Sequence, residues 1–316
     1  MTTPTAMIAM GGNSISQKGE AGDISQQFTH TREALNGISH FIDRGYNICI
    51  NHGNGPQVGN ELHRMDLTHN QIPALPLGVC VAATQGTIGY MIQQSLQNKL
   101  RNMEIDREVV TLVSQVIVNP DDPRVREPNK FVGPRYKKEK AEKLARMFNW
   151  HIKQQEKGKW RRVVPSPMPE YIMHGKSIKT LVDRGTIVIA SGGGGIPVFN
   201  NNNGHLEGLD AVIDKDYSAA KLGRIIKAQE LWIITDIDSV YLNFGTRNQK
   251  RLKSISKDQI EKYYSKGEFQ KGSMEPKIIA AIHFLKHHGE KVVITSIPCI
   301  EKALNETAGT IIRNGT

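Results

Sequence analysis

Ile48-Cys49-Ile50-Asn51-His52-Gly53-Asn54-Gly55-Pro56-Gln57 is an apolar run that ends in a glycine- and amide-rich turn. Pro56 suits the first turn of a following helix, where its missing N–H costs little. The same pattern recurs. Gly11-Gly12-Asn13 follows Met7-Ile8-Ala9-Met10, and Ser191-Gly192-Gly193-Gly194-Gly195 follows Ile187-Val188-Ile189-Ala190. A fourth loop, Asp214-Lys215-Asp216, follows the strand-like run Ala211-Val212-Ile213. Loops at the carboxyl ends of strands in an open α/β sheet converge on one crevice. Glycine lets backbone N–H groups come close to a phosphate, and lysine adds a point charge. Four such loops in order point to an enzyme that handles phosphate.

Working outward, the N-terminal half alternates strands and helices. Phe28, Leu35, Ile38, Phe41 and Ile42 recur at helical spacing. Residues 108–113 and 115–118 are rich in branched side chains and read as β structure. Alternation resumes with Ile187 to Ala190, Leu231 to Ile234 and Val292 to Ile294. It implies a three-layer αβα sandwich with a mainly parallel central sheet. Residues 1–316 are expected to form one domain. Asn119-Pro120-Asp121-Asp122-Pro123 is a turn cluster that opens a protruding basic subdomain over residues 119–165.

The formal charge is +10. Residues 119–165 contain 14 Lys+Arg against 6 Asp+Glu, so most of the excess sits there. A basic stretch fits nucleic acid, an acidic small substrate or a solvated helix face. Lys137 to Lys143 mixes signs at helical spacing, which favours the solvated face. No zinc finger, RNA-recognition signature or regular aromatic pattern accompanies it, which argues against nucleic acid. No run of about 18 apolar residues is present, so no membrane span is expected. The first residues lack the pattern of a signal peptide. Cys49, Cys80 and Cys299 have neither zinc nor redox spacing and read as reduced thiols in the cytoplasm.

Phosphoryl transfer needs donor and acceptor aligned and charge neutralised on the moving group. The chain has no Walker A segment and no protein-kinase His-Arg-Asp or Asp-Phe-Gly segment. Lysines and backbone amides are left to do the neutralising. Lys215, between two aspartates, fits a surface turn as well as a phosphate contact. Lys277 follows Gly272-Ser273-Met274-Glu275-Pro276, near the expected N-terminus of a helix, where anions are favoured. Lys130, taken alone, reads as a surface lysine of the basic subdomain. No His/Asp/Glu cluster has tight metal-ligand spacing. His52 reads as a packing or hydrogen-bonding residue rather than a base.

Five segments resemble those of the carbamate kinases, a branch of the amino acid kinase family. They are residues 51–59, residues 85–94 (Gln85-Gly86-Thr87-Ile88-Gly89-Tyr90-Met91-Ile92-Gln93-Gln94), Trp160 to Pro167, Ala211 to Asp216 and Gly272 to Lys277. The resemblance runs from about Ala6 to Ile312. It implies reversible phosphoryl transfer between ATP and carbamate, giving carbamoyl phosphate and ADP. It also implies a homodimer and the ATP-forming direction in amino-acid catabolism of the arginine-degrading kind. By resemblance, Lys215 reaches the transferring phosphoryl group and Asp216 is the carboxylate that organises the lysines, a task Asp214 could share. Lys277 contacts the ATP phosphates, and Lys130 reaches over the acceptor as part of a lid. Gly11, Gly12, Gly53 and Asn54 are expected to offer N–H donors, with amide contacts from Asn13 and Asn54. Gly192 to Gly195 either approach the nucleotide phosphates or pack closely. Thr235, Asp236 and Met274 are expected beside the nucleotide, and Mg2+ is expected to arrive with it. A carbamate oxygen is already anionic, so no general base is required. The chain departs from the family pattern at Glu275, where glycine is usual, at Ser14, and at Gln154-Gln155, where an acidic pair is common. The alternatives are a related acid kinase with another acceptor and a degenerate nucleotide-binding relative.

Overall fold

The computed structural model describes residues 3–12, 15–16, 20 and 22–315. Asn13 and Ser14 lie outside the described residues. An eight-stranded sheet forms the middle layer. Its order is Ser254–Ser256, Thr310–Arg313, Lys291–Thr295, Glu230–Ile234, Thr5–Met10, Asn47–His52, Ile187–Ile189 and Val109–Thr111. All adjacent pairs are parallel except Lys291–Thr295 with Thr310–Arg313.

The apolar runs need no polar alternation, because the sheet is covered on both faces. Along Thr5–Met10, Met7 and Ala9 point into one core while Ala6, Ile8 and Met10 point into the other. Glu230–Ile234 splits in the same way, with Leu231 and Ile233 against Trp232 and Ile234. Helices Ile24–Asp43 and Leu77–Asn102 close the second core through Leu35, Ile38, Phe41, Ile88, Ile92 and Leu96. The Phe41 ring meets Trp232 edge-on at 4.8 Å, a favoured aromatic geometry. Helices Gly175–Asp183, Lys215–Ile225 and Met274–Lys286 close the first core. This is the αβα sandwich the alternation predicts.

Among the described residues there are three smaller sheets, one of them the hairpin of Val240–Leu242 with Lys250–Leu252. Another orders Leu206–Gly208, Ile196–Asn200, Gln115–Val118 and Pro169–Ile172. The third is antiparallel, with Lys159–Val164 between Lys130–Tyr136 and His151–Glu156. Helix Lys138–Phe148 packs on that third sheet around its own small core of Tyr136, Ala141 and Leu144. This unit lies within the basic stretch. Its helix buries Ala141 and Leu144 and leaves Lys138 and Lys140 exposed, as a solvated face should.

One strand expectation is corrected. Ala211 to Ile213 form no strand. Ala211 and Ile213 are buried, but the backbone bonds of the segment are local or single, with Ala211 N–H donating to Leu209 and Val212 N–H to Pro165. Ile213 packs into the first core and Val212 against a separate cluster around Val58 and Leu62, so the apolar character reflects burial rather than a ladder.

Candidate active site

The parallel strands end in register. Met10 pairs with both His52 and Ile234, Ile50 with Ile189, and Ile234 with Thr295. The loops that follow therefore start along a common edge, and the crevice lies there.

At its centre is Asp216, only 2% exposed. One carboxylate oxygen accepts from Lys215 Nζ at 2.5 Å and the other from Lys277 Nζ at 2.9 Å. Asp216 stands in the first turn of helix Lys215–Ile225, and Lys277 in the first turn of helix Met274–Lys286. Two packed helices thus deliver their N-terminal lysines to one carboxylate. Burial alone would raise the Asp216 pKa, but the two ammoniums outweigh it and hold the group well below the carboxylate range. Burial lowers the Lys215 pKa against the pull of Asp216, with Lys277 repelling it. Lys277 is also buried, yet Asp216, Asp214 and Asp236 leave its pKa raised.

Asp214 and Asp216, adjoining in sequence, have different work. Asp214 caps the helix by accepting from the Asp216 N–H at 3.0 Å. Its other oxygen accepts from Lys130 Nζ at 2.9 Å. Lys130 begins the first strand of the antiparallel sheet, and its side chain is 36% exposed. Three ammoniums gather at these two carboxylates, with Asp236 acting on Lys277 as well, and an incoming phosphate would meet their N–H donors.

The glycine loops meet behind this cluster. A Cβ on Gly53 would lie 2.8 Å from Gly12 N, and the Lys215 chain passes 3.5 Å from the same point. A Cβ on Gly193, which has φ +64°, would lie 2.1 Å from Asn54 Nδ2. Close approach of the Gly12 backbone requires glycine at 53, and the positive φ with the Asn54 side chain against it requires glycine at 193. The expected N–H donors divide. Gly11 N–H donates to Ile234 O and Gly53 N–H to Met10 O, at 3.1 and 3.0 Å. Both continue the parallel ladder one step past the strands and form the crevice floor, so these two N–H groups are engaged within the sheet. The Gly12 and Asn54 N–H groups take no ladder bond among the described residues. The Asn54 amide donates to Thr84 Oγ1 at 2.9 Å, which fixes that side chain. The Gly194 and Gly195 N–H groups close a tight turn on Ser191 and Gly192, so these two are engaged within the loop.

His52 is 1% exposed, with its Nδ1 donating to Gly53 O at 3.1 Å. Burial, reinforced by the Lys215 charge, lowers its pKa to about 4, so the ring is neutral at pH 7. A Cβ on Gly192 would lie 2.4 Å from its Nε2. It packs and bonds, as its sequence context predicts.

Sequence reasoning missed several supports. The Asn51 amide donates to Lys215 O at 2.8 Å and anchors the start of that helix. Gln85 accepts from Ser114 N–H at 2.7 Å and donates to Gly192 O at 2.9 Å. It braces the third glycine loop from helix Leu77–Asn102. The only signal for Gln85 lay in the resemblance over residues 85–94.

Thr235, Asp236, Met274 and Lys277 line one cavity of about 130 Å³ with Tyr241, Phe244 and Phe269. Its aromatic and thioether walls suit a flat base, and Lys277 joins it to the cluster. Thr235 and Asp236 also border a larger cavity of about 510 Å³ beside His30 and His40. That space contains none of the clustered lysines. Glu275 is half-buried, and its charge bears on the Tyr217 phenol. Gln155 accepts from Arg135 at 3.3 Å and Arg161 at 3.4 Å, so a neutral amide serves where an acidic residue is common.

A parallel αβα sandwich with paired lysines at its strand-end crevice defines a phosphotransferase of the acid-kinase type. The amino acid kinase family model matches residues 4–296, and the chain belongs to that family. Within it the chain falls among the carbamate kinases. It is 44% identical to a carbamate kinase of Pyrococcus horikoshii, over 96% of this chain and 97% of that one. It is 42% identical to carbamate kinase 2 of Staphylococcus epidermidis, over 98% and 99%. The solved carbamate kinase of Giardia lamblia bound to AMP-PNP superposes with a TM-score of 0.93, at 35% identity and 99% coverage of both chains.

Proposed function

We propose that this chain transfers a phosphoryl group reversibly between ATP and carbamate, through Lys215 and Lys277 held on Asp216. The buried Asp216–lysine clasp at the crevice carries this reading. Preset ammoniums stabilise charge on a transferring phosphoryl group without having to reorganise during the reaction. Lys215, beside Gly53, is suited to the phosphoryl group itself. Lys277, on the wall of the aromatic cavity, is suited to the nucleotide phosphates. Lys130 can exchange Asp214 for the acceptor, and in doing so brings the antiparallel sheet over the site and limits water. The N–H groups of Gly12 and Asn54 are the remaining donors. A carbamate oxygen attacks as the anion it already is, which agrees with the absence of a role for His52 as a base.

Magnesium fits as a companion of the nucleotide. Both oxygens of Asp216 accept from lysines, and Asp214 accepts from Lys130 and its own helix. The ion is therefore held mainly by phosphate oxygens and water, and it screens their charge there. Support for a homodimer comes from an exposed face where Tyr90 is 54% and Val113 56% exposed. Three free cysteines agree with a cytoplasmic setting. No helix among the described residues is long and apolar enough to cross a membrane. ATP production in amino-acid catabolism is the direction we assign.

The test is ATP formation from carbamoyl phosphate, ADP and magnesium by the purified protein, beside a Lys215→Ala control. Rapid formation lost in the control supports the reading. A folded, nucleotide-binding protein that forms no ATP overturns it.

A further inference from the structure

Away from the crevice, helices Lys215–Ile225 and Met274–Lys286 enclose a cavity of about 320 Å³. Lys221 and Arg224 face it from the first helix, His283 from the second and His287 from that helix's C-cap. Arg124 and Tyr217 add polar groups, and Met168, Pro169, Ala220 and Ala280 are the apolar part of the wall. The two imidazoles stand one helical turn apart with rings nearly parallel, 5° between planes and 6.3 Å between centroids. The lining contains no carboxylate. Among the described residues, neither Lys221 nor Arg224 has an ion-pair partner. Arg124 is shared with Asp122 at 3.3 Å. The nearby acids act from outside the cavity: Glu170 on Lys221, and Asp214 and Glu275 on Tyr217.

The cations feel one another. After burial, which acts first, the proximity of Arg224 lowers the Lys221 pKa. Burial, and then His287, Lys221, Lys286 and Arg124, lower that of His283. Like charges gathered in a concavity cost free energy that a bound anion recovers. Two guanidinium forks, an ammonium, the His283 N–H and a phenol are donors matched to a tetrahedral oxyanion, while His287 Nδ1–H is held by His283 O at 2.9 Å and its Nε2 donates only when the ring is protonated.

We propose that this cavity is a second anion site, distinct from the crevice, which takes a small phosphate-class anion, either inorganic phosphate or a short phosphate monoester. Its walls are the two helices whose first turns carry Lys215, Asp216 and Lys277. Lys221 and His283 each lie six residues along from one of those lysines, about 9 Å of helix. An anion that clamps these helices acts on the spacing of the lysine pair, so the site is placed to regulate. The proposal does not depend on the acceptor being carbamate.

The test follows the His283 and His287 Cε1–H resonances by NMR, assigned with His283→Gln and His287→Gln, at about 0.15 M salt. The probes are inorganic phosphate and glycerol phosphate. Both resonances are expected to shift saturably with inorganic phosphate. Affinity should fall roughly tenfold or more in a Lys221→Gln/Arg224→Gln variant, hold in Lys221→Arg/Arg224→Lys, and hold in Lys215→Ala. Tighter binding of glycerol phosphate assigns the site to a monoester, and tighter binding of phosphate assigns it to the inorganic ion. Unaltered shifts in the charge-removed variant overturn the proposal, as does loss of the shifts in Lys215→Ala, which would trace them to the crevice.

Discussion

His52 should make this protein acid-sensitive, because burial holds its imidazole neutral in the folded chain. In the unfolded chain the imidazole takes up a proton around its ordinary pKa of 6.5, and in the folded chain only near about 4. Between those values protons bind the unfolded state more readily, so stability is full above 6.5 and drains as pH falls toward 4. A gap of about 2.5 units at 1.36 kcal/mol each is about 3 kcal/mol in total, of which about 2 kcal/mol is lost by about pH 5. The ring is buried against Gly192 and donates to Gly53, so solvent screening does not reduce this figure. Reversible urea unfolding of the wild type and of His52→Gln, at about pH 7 and pH 5, isolates it. The variant loses ring packing at both pH values, and only the difference between the pH responses counts. His30, whose pKa is raised chiefly by its hydrogen bond to Glu20, responds in the opposite sense but is common to both proteins. The wild type should lose about 2 kcal/mol more than the variant on acidification. Equal losses in the two proteins would refute a buried, neutral His52.

Lys215→Ala should lower turnover about 10²-fold or more, like loss of an oxyanion-hole donor, with folding retained in circular dichroism. Asp216→Asn should cost about 3 kcal/mol in urea unfolding, because two buried ammoniums lose their shared counter-charge, and ATP formation should fall with it. Gly193→Ala places a Cβ 2.1 Å from Asn54 Nδ2 at φ +64°. Its turnover should drop while the unfolding midpoint moves less than in Asp216→Asn, and an unchanged rate would separate Asn54 from the chemistry. Glu275→Gly should leave the KM for ADP within about twofold, since the Glu275 charge bears on Tyr217 rather than on the lysine pair. A large fall in KM would show instead that Glu275 repels nucleotide.

The sheet was legible where burial and pairing coincide. Thr5–Met10 and Glu230–Ile234 are apolar without alternation because both their faces enter cores, and a run of that kind bounded by glycine or Thr-Asp leaves few other readings. At Ala211 to Ile213 burial and pairing part company. The side chains are inside but the backbone makes no ladder, and a pattern of apolar residues does not carry that distinction. The same limit applies to the glycines. Gly53 in sequence says that something comes close, and Gly12 does, but the direction of its N–H is set by the register of Asn47–His52 on Thr5–Met10, a tertiary fact. Lys215 and Asp216 are neighbours in sequence, so their pairing could be read directly. Lys277 lies 61 residues beyond Asp216, and Lys130 lies 84 before Asp214; only the resemblance linked them. Asn51, Thr84 and Gln85 are ordinary polar residues in apolar surroundings, and what marks them as supports is the partner each one reaches. The lysine cluster is thus chemically simple and structurally distributed. Its charges announce themselves in sequence, while the geometry that turns them into a phosphate site comes from two helix N-termini meeting at one buried carboxylate. That is why removing the carboxylate should disturb both stability and turnover, whereas removing one lysine should fall mainly on turnover.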